Sequence, residues 1–236
     1  MTKIVAQAQV WNCAQFITAS ILPIQKYVDE IWLFDGAYEH MKKFTDVPWS
    51  TDGTEEIVKA LKLDCKLVWV PCKDFFETEL AKRIFMIKHL NDGEWMYELH
   101  DDEIATMDIE ATFKRVRNAE GVEVGFVPML QYPRARELFS PVPEDINPYE
   151  YMLERQLRAL KKEGGHAFLA PRFWKNEGMY FTIGISNIYD RQGRHYDKWP
   201  SIVLSEMFIW HLKWLRERDR HKMMLDYEYI PTSFAE

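Results

Sequence analysis

Between Ile4 and Leu130 the chain alternates short apolar runs with segments of helical periodicity, and this alternation does most to restrict its fold. The runs are Ile4–Val10 (its polar–apolar alternation weak), Tyr27–Asp35, Lys66–Pro71, Trp95–Leu99 and Val122–Leu130. Between them, Gln15–Ile24, Thr54–Leu63, Glu77–Asn91 and Asp108–Asn118 read as helices. Thr54 is a candidate cap, and Glu55 and Glu56 favour a helix start. Leu80, Ile84, Ile87 and Leu90 share one helical face. Strands alternating with helices of this length build βαβ units and a mostly parallel sheet. Near-continuous apolar strands fit burial on both faces. The expected class is α/β: a Rossmann-like, mostly parallel central sheet flanked by helices.

After Leu130 the pattern changes to a C-terminal α+β elaboration. Tyr132–Pro148 holds Pro133, Pro141, Pro143 and Pro148 and reads as a long loop of the functional kind. Pro148–Lys162 reads as a helix, Ala167–Trp174 and Met179–Ile185 as a strand pair, and Ser201–Arg218 as a helix with a Trp/Leu/Ile face. There is no internal repeat and no low-complexity linker, so residues 1–236 read as one domain.

A net charge of −7 argues against a broad nucleic-acid surface, which carries a basic excess. Three cysteines, Cys13, Cys65 and Cys72, at unrelated spacing make neither a disulfide framework nor a zinc site. A reducing cytoplasm is the simplest compartment. Residues 1–10 lack the apolar core of a secretory signal, and no run reaches the roughly 18 apolar residues of a membrane span. An exposed aromatic patch would still allow peripheral association at the inner face of a membrane.

Four constellations carry chemistry. Trp95–Leu99 drives straight into His100, Asp101, Asp102 and Glu103, four potential ligands at the end of a buried strand. Carboxylates there can hold Mg²⁺ or Mn²⁺ against a diphosphate, because hard cations take oxygen ligands. Ligands of open α/β sheets bind outside the carboxyl ends of the strands. Asp35–Gly36 closes the second strand; in isolation it is a turn, but an Asp there can also accept from a base or ribose. Ser50-Thr51-Asp52-Gly53-Thr54 feeds a helix start. Lys82-Arg83 is either a solvated helix face or a cation pair for a diphosphate, for which Arg has the better geometry. A His100-Asp101 doublet also suits metal phosphohydrolases, but His166, His195, His211 and His221 supply no matching doublet.

Taken in order, these motifs resemble a family 2 glycosyltransferase of the GT-A fold over residues 4–130. That pattern has "D-E-I…D", here Asp29-Glu30-Ile31…Asp35, then "S-x-D-G-T", a basic helix, and "W-x-x-x-L-D-A-D-E". The stretch Trp210–Arg216, W-H-L-K-W-L-R, followed by Asp226-Tyr227, is similar to the C-terminal portion of some relatives, where a His reaches the metal. The resemblance implies a nucleotide-sugar transferase of hexosyltransferase type working in polysaccharide or other glycan synthesis. It implies a nucleoside diphosphate sugar donor, Mn²⁺ or Mg²⁺, inversion, and a glycan, lipid-linked or protein acceptor. Residues 1–130 would be the nucleotide-sugar-binding half, and 131–236 the acceptor side with a C-terminal helix. Asn12, Asp35, Gly36, Asp52, Lys82, Arg83 and Asp101 would bind the nucleotide sugar, and Asp102, His100 and His211 the metal.

The chain departs from the pattern in three places. His100 stands where the first Asp is usual, Ala37–Trp49 separates two motifs that are usually almost contiguous, and no residue is marked as the base. An inverting transfer needs a carboxylate to take the acceptor proton; Glu137 and Glu177 are the candidates, ahead of His195 and Asp197. Two other classes stay open. A sugar nucleotidyltransferase would carry a Gly-rich loop after the first strand, and Gln9–Cys13 has no Gly. A degenerate relative would bind a nucleotide or glycan without turnover.

Overall fold

The computed structural model describes residues 2–131, 167–182 and 188–211. Ile4–Val10 (β1), Glu30–Asp35 (β2), Lys66–Pro71 (β3) and Trp95–His100 (β4) are the expected strands. Ile17–Ile21 (α1), Thr54–Ala60 (α2), Glu79–Ile87 (α3) and Ile109–Arg117 (α4) are the expected helices, each shorter than its periodicity suggested. Pro23, which has no N–H to donate, follows the early end of α1. Glu103–Met107 (β5) was hidden in the acidic motif, and Val124–Gln131 (β6) and Ala167–Lys175 (β7) follow the sequence.

Two expectations are corrected. Over its described residues, 179–182, the stretch 179–185 does not pair with β7. Its described part, Tyr180–Phe181 (β8), pairs with Ile188–Tyr189 (β9) in a separate ribbon, while β7 lies between β4 and β6. Ser201–Arg218 is not a helix over its described residues, which form Ser201–Val203 (β10) and Met207–His211 (β11). β11 is parallel to β6 and antiparallel to β5, so both of its edges are paired. Two hydrogen-bonding neighbours outweigh any helical period in a run of Met, Phe, Ile and Trp. The Pro-rich loop, Glu137 and the helix expected at Pro148–Lys162 lie outside the described residues.

The sheet runs β3-β2-β1-β4-β7-β6-β11-β5, with β10 beside β6. β1, β2, β3 and β4 are mutually parallel, in the order 3-2-1-4 of a dinucleotide-type sheet. Its switch point lies between β1 and β4. Only Asp101 and Asp102 separate β4 from β5, yet β5 is at the far end of the pairing order. Three residue steps reach about 10 Å, so the sheet curls until its last strand returns to the carboxyl end of β4.

Alternation sorts the side chains of the two central strands. Ile4, Ala6, Ala8 and Val10 of β1, with Trp95, Tyr97 and Leu99 of β4, enter the main core beside Phe113 and Phe173. The opposite face begins apolar with the pair Val5 and Met96, then turns polar at Gln7 and Glu98 and again at Gln9 and His100. That face, under α3, therefore changes from core to cavity along its length. Phe173 is 0% exposed, its ring 4.9 Å from Tyr97 and 5.1 Å from Phe113 between centroids. Phe173→Ala should cost about 3–5 kcal/mol, read as a fall in the urea midpoint with little change in slope.

Candidate functional site

The loop after β1 is pinned by the S-T-D-G-T motif. Asn12 takes a left-handed φ of 47°, which Asn tolerates. Its N–H donates to Ser50 Oγ at 2.8 Å, and its Oδ1 accepts from the Thr51 N–H at 2.8 Å. Ser50 Oγ donates to Asp35 Oδ1 at 2.6 Å, and the Ser50 N–H lies 3.0 Å from Oδ2. Asp35, at the end of β2, is 1% exposed. Burial pushes its carboxyl up, and the Ser50 bonds pull it partly back. Asp52 accepts from the Thr54 N–H at 3.1 Å and the Ala14 N–H at 3.0 Å. The N-cap of α2 is Gly53, at a left-handed φ of 86°, so Thr54 is the first helical residue and not the cap expected of it, and its hydroxyl accepts from the Cys13 N–H. Asp35 and Asp52 both fix the loops after β1 and before α2 through these bonds.

The inserted loop 37–49 is part of the site. Its 3₁₀ turn, Glu39–Lys43, puts Tyr38 and Met41 in the wall of a cavity at the switch point, and Tyr38 donates to Gln9 Oε1 at 2.7 Å. Gly36 is required by close approach, because a Cβ there would lie 2.9 Å from Cys72 Cβ.

Lys82 and Arg83 both line this cavity, and both charges are engaged. Thr78 caps α3 by accepting from the Ala81 N–H. One turn on, Lys82, 1% exposed, donates Nζ to the Val10 carbonyl at 3.0 Å and to the Gly36 carbonyl. It thus clamps the carboxyl ends of β1 and β2 together. Burial lowers its pKa to about 8, against the pull of Cys72, Asp35 and Asp101. Arg83 pairs with Glu79 and with Glu98 of β4.

From Glu98 a run of charges crosses the sheet. His100 Nε2 is 3.2 Å from Glu98 Oε1, and Nδ1 is 3.5 Å from Glu103 Oε1. Arg172 of β7 grips both oxygens of Glu103, at 3.0 and 2.6 Å. Burial works against a charged His100, but Glu103 and then Glu98 outweigh it and raise its pKa. Both ring nitrogens thus face carboxylates. A metal ligand must offer a neutral nitrogen, and both ring nitrogens of His100, in the place of the usual Asp, are already turned to carboxylates.

Asp102 meets the other sequence candidate. In register, His211 of β11 pairs with Glu103 of β5, which sets its Nε2 3.3 Å from Asp102 Oδ2. Two ligands of one Mg²⁺-type ion stand roughly 3 Å apart when each is about 2.1 Å from it, so this carboxylate and imidazole suit a shared cation. Among the described residues no group of three or more His, Cys, Asp or Glu side chains is placed to hold a metal ion. An ion held here would complete its shell with ligand phosphates and water, as Mg²⁺ commonly does.

The other base candidate, Glu177, lies just beyond β7. It follows Lys175, which pairs with Trp95 at the amino end of β4 and makes a 3.0 Å ion pair with Glu177. Strand rise puts that end about 16 Å from His100. Sequence reasoning missed Glu98, Arg172, Gln7, Trp11 and Tyr38. The first two had a signal, as charged residues inside apolar strands.

No protein-family model matches the chain, and no curated protein matches it. Among solved structures it is similar to S. aureus TarS residues 1–349, with 16% identity over 61% of this chain and 39% of that one, at a TM-score of 0.44. A longer S. aureus TarS structure aligns with 16% identity over 61% of this chain and 24% of that one, at 0.41. HddC from Yersinia pseudotuberculosis aligns with 10% identity over 96% of this chain and 100% of that one, at 0.42. The chain thus spans less than half of either TarS chain. Among the described residues no helix is long and apolar enough to cross a membrane.

Lys82 sets a pH dependence. Its folded pKa of about 8 lies below the ordinary lysine value of 10.5, so between these values the unfolded chain binds more protons and stability rises with pH. Denaturant titrations from pH 8 to 10 should show this rise in the wild type and a flatter profile in Lys82→Met.

Proposed function

We propose that this chain is a glycosyltransferase of the GT-A kind, resembling family 2, that moves a sugar from a nucleoside diphosphate sugar to an acceptor hydroxyl with inversion. The observation that carries this reading is the meeting of Asp102 and His211 at the carboxyl end of β4, beside the switch-point cavity. A transferase of this class needs a cation-compatible pair there, and the sequence resemblance names the same two residues.

In this reading the nucleoside enters along the rim built by Asn12, Ser50, Asp35 and Asp52. The diphosphate lies towards Asp102 and His211, which would hold Mn²⁺ or Mg²⁺. Such an ion, when bound, supplies Lewis-acid stabilisation of the departing diphosphate. Buried Asp102, 1% exposed, keeps its carboxylate at a fixed place, and Asp101 turns the chain into β5. Lys82 holds the ends of β1 and β2 at the spacing the donor meets. Glu137 stays the candidate for the base that takes the acceptor proton. The acceptor is a glycan, a lipid-linked glycan or a protein hydroxyl. A second reading, nucleotide binding without turnover, draws on His100, which stands where the first Asp is usual and has both ring nitrogens turned to carboxylates.

A thermal-shift screen with UDP, GDP, CDP and dTDP, with and without Mn²⁺, is the direct test, since a ligand that binds only the folded state raises its stability. One nucleotide should give a metal-dependent shift. Asp102→Ala and His211→Ala should remove the metal-dependent part, and Asp102→Ala should lower transfer at least about 100-fold. Wild-type transfer by Asp102→Ala would overturn the reading, and a metal-dependent shift without any transfer would select the second one.

A further inference from the structure

The cavity between β1, β4 and α3 has several ionisable side chains in its wall. Lys82, Arg83 and His100 share its lining with Glu79, Glu98 and Asp101. Arg83 pairs with Glu79 and Glu98, His100 with Glu98, and Lys82 binds two carbonyls. A diphosphate entering this space would meet carboxylates and cations that already have partners. The cavity therefore suits an uncharged group, and the anionic part of a donor belongs outside it, towards Asp102 and His211.

Two uncharged side chains on the same wall differ from the rest. Gln7 is 0% exposed and donates Nε2 to the Met86 carbonyl at 3.2 Å, but its Oε1 is buried without a hydrogen-bond partner. Trp11 is 8% exposed, and its Nε1–H is likewise buried without a partner. Buried polar atoms are almost always satisfied, and leaving one unmade carries the desolvation penalty of that group. Here one wall holds an unmet acceptor and an unmet donor, beside the apolar surfaces of Met41 and Met86.

Resting on the glycosyltransferase reading, we infer that Gln7 Oε1 and Trp11 Nε1 are recognition atoms for an uncharged ring of the donor. That ring carries a hydrogen-bond donor for Gln7 and an acceptor for Trp11. A nucleobase and a sugar both have this chemistry, and both have faces that the methionines and the indole can cover. The Tyr38–Gln9 hydrogen bond closes the wall beside the ring, which makes the inserted loop a determinant of what fits.

The test is calorimetric titration of wild type, Trp11→Phe and Gln7→Leu with the nucleoside diphosphate that stabilises the wild type and with its sugar conjugate. Trp11→Phe keeps a flat aromatic ring and removes only the indole N–H, so it decides the matter if Gln7→Leu folds poorly. Each substitution should weaken the conjugate about 5- to 20-fold. Equal weakening of the free nucleoside diphosphate identifies the ring as the base, and weakening confined to the conjugate identifies it as the sugar. If Trp11→Phe binds both ligands within twofold of wild type, the inference is wrong and the parent reading stands. If no nucleoside diphosphate binds the wild type, the parent reading fails and the inference with it.

Discussion

Glu98 stands in the middle of β4 with Arg83, His100 and Trp174 turned towards its carboxylate. A lone carboxylate so buried would be costly. Here desolvation, which would raise its pKa, is overcome first by Arg83 and then by His100, and the group is held well below the usual carboxylate range. Each partner belongs to a different part of the chain: α3, the end of β4, and β7. Through His100 the same interaction reaches Glu103 and Arg172. One buried negative charge thereby ties α3, the end of β4 and β7 together. Removing one member of such a set strands the others in a low-dielectric setting, which is why breaking a buried pair costs more than the pair contributes.

This ordering of charge separates two jobs that the sequence ran together. Lys82, Arg83 and His100 read from the chain as groups that meet a ligand. In the fold they hold strand ends, a helix and a turn in place. The pair left at the carboxyl edge, Asp102 and His211, comes from elements distant in the chain and joined by one strand register. Positive charge is thus used for scaffolding inside the cavity.

The first half of the fold was legible because parallel strands buried on both faces announce themselves as apolar runs, as in Ile4–Val10 and Trp95–His100. The acidic turn was legible for the same reason: polarity begins abruptly after Leu99. The cavity was written in the sequence in weaker form. Gln7 and Gln9 interrupt β1 on alternate positions, and Glu98 and His100 interrupt β4 in the same way. The weakness of the β1 alternation was itself the mark of a strand that leaves the core halfway along one face. What could not be read was pairing. Whether Met207–His211 is helix or strand depends on β5 and β6 being there to receive it, and no local period encodes that. Arg172 could be suspected from its place in an apolar strand, but its partner Glu103 lies 69 residues away.

The place of β11 has a consequence for how the molecule comes into being. β5 has β11 as its pairing neighbour, and β11 is made more than a hundred residues later. During synthesis β5 must therefore wait with an open edge while β6, β7 and the segments between are produced. Long-range closures of this kind are slow, because loop entropy is lost before the contacts form. Waiting edges are also where nascent chains aggregate. The acidic turn acquires its imidazole only at that last insertion, so assembly of the edge and completion of the site are the same folding event.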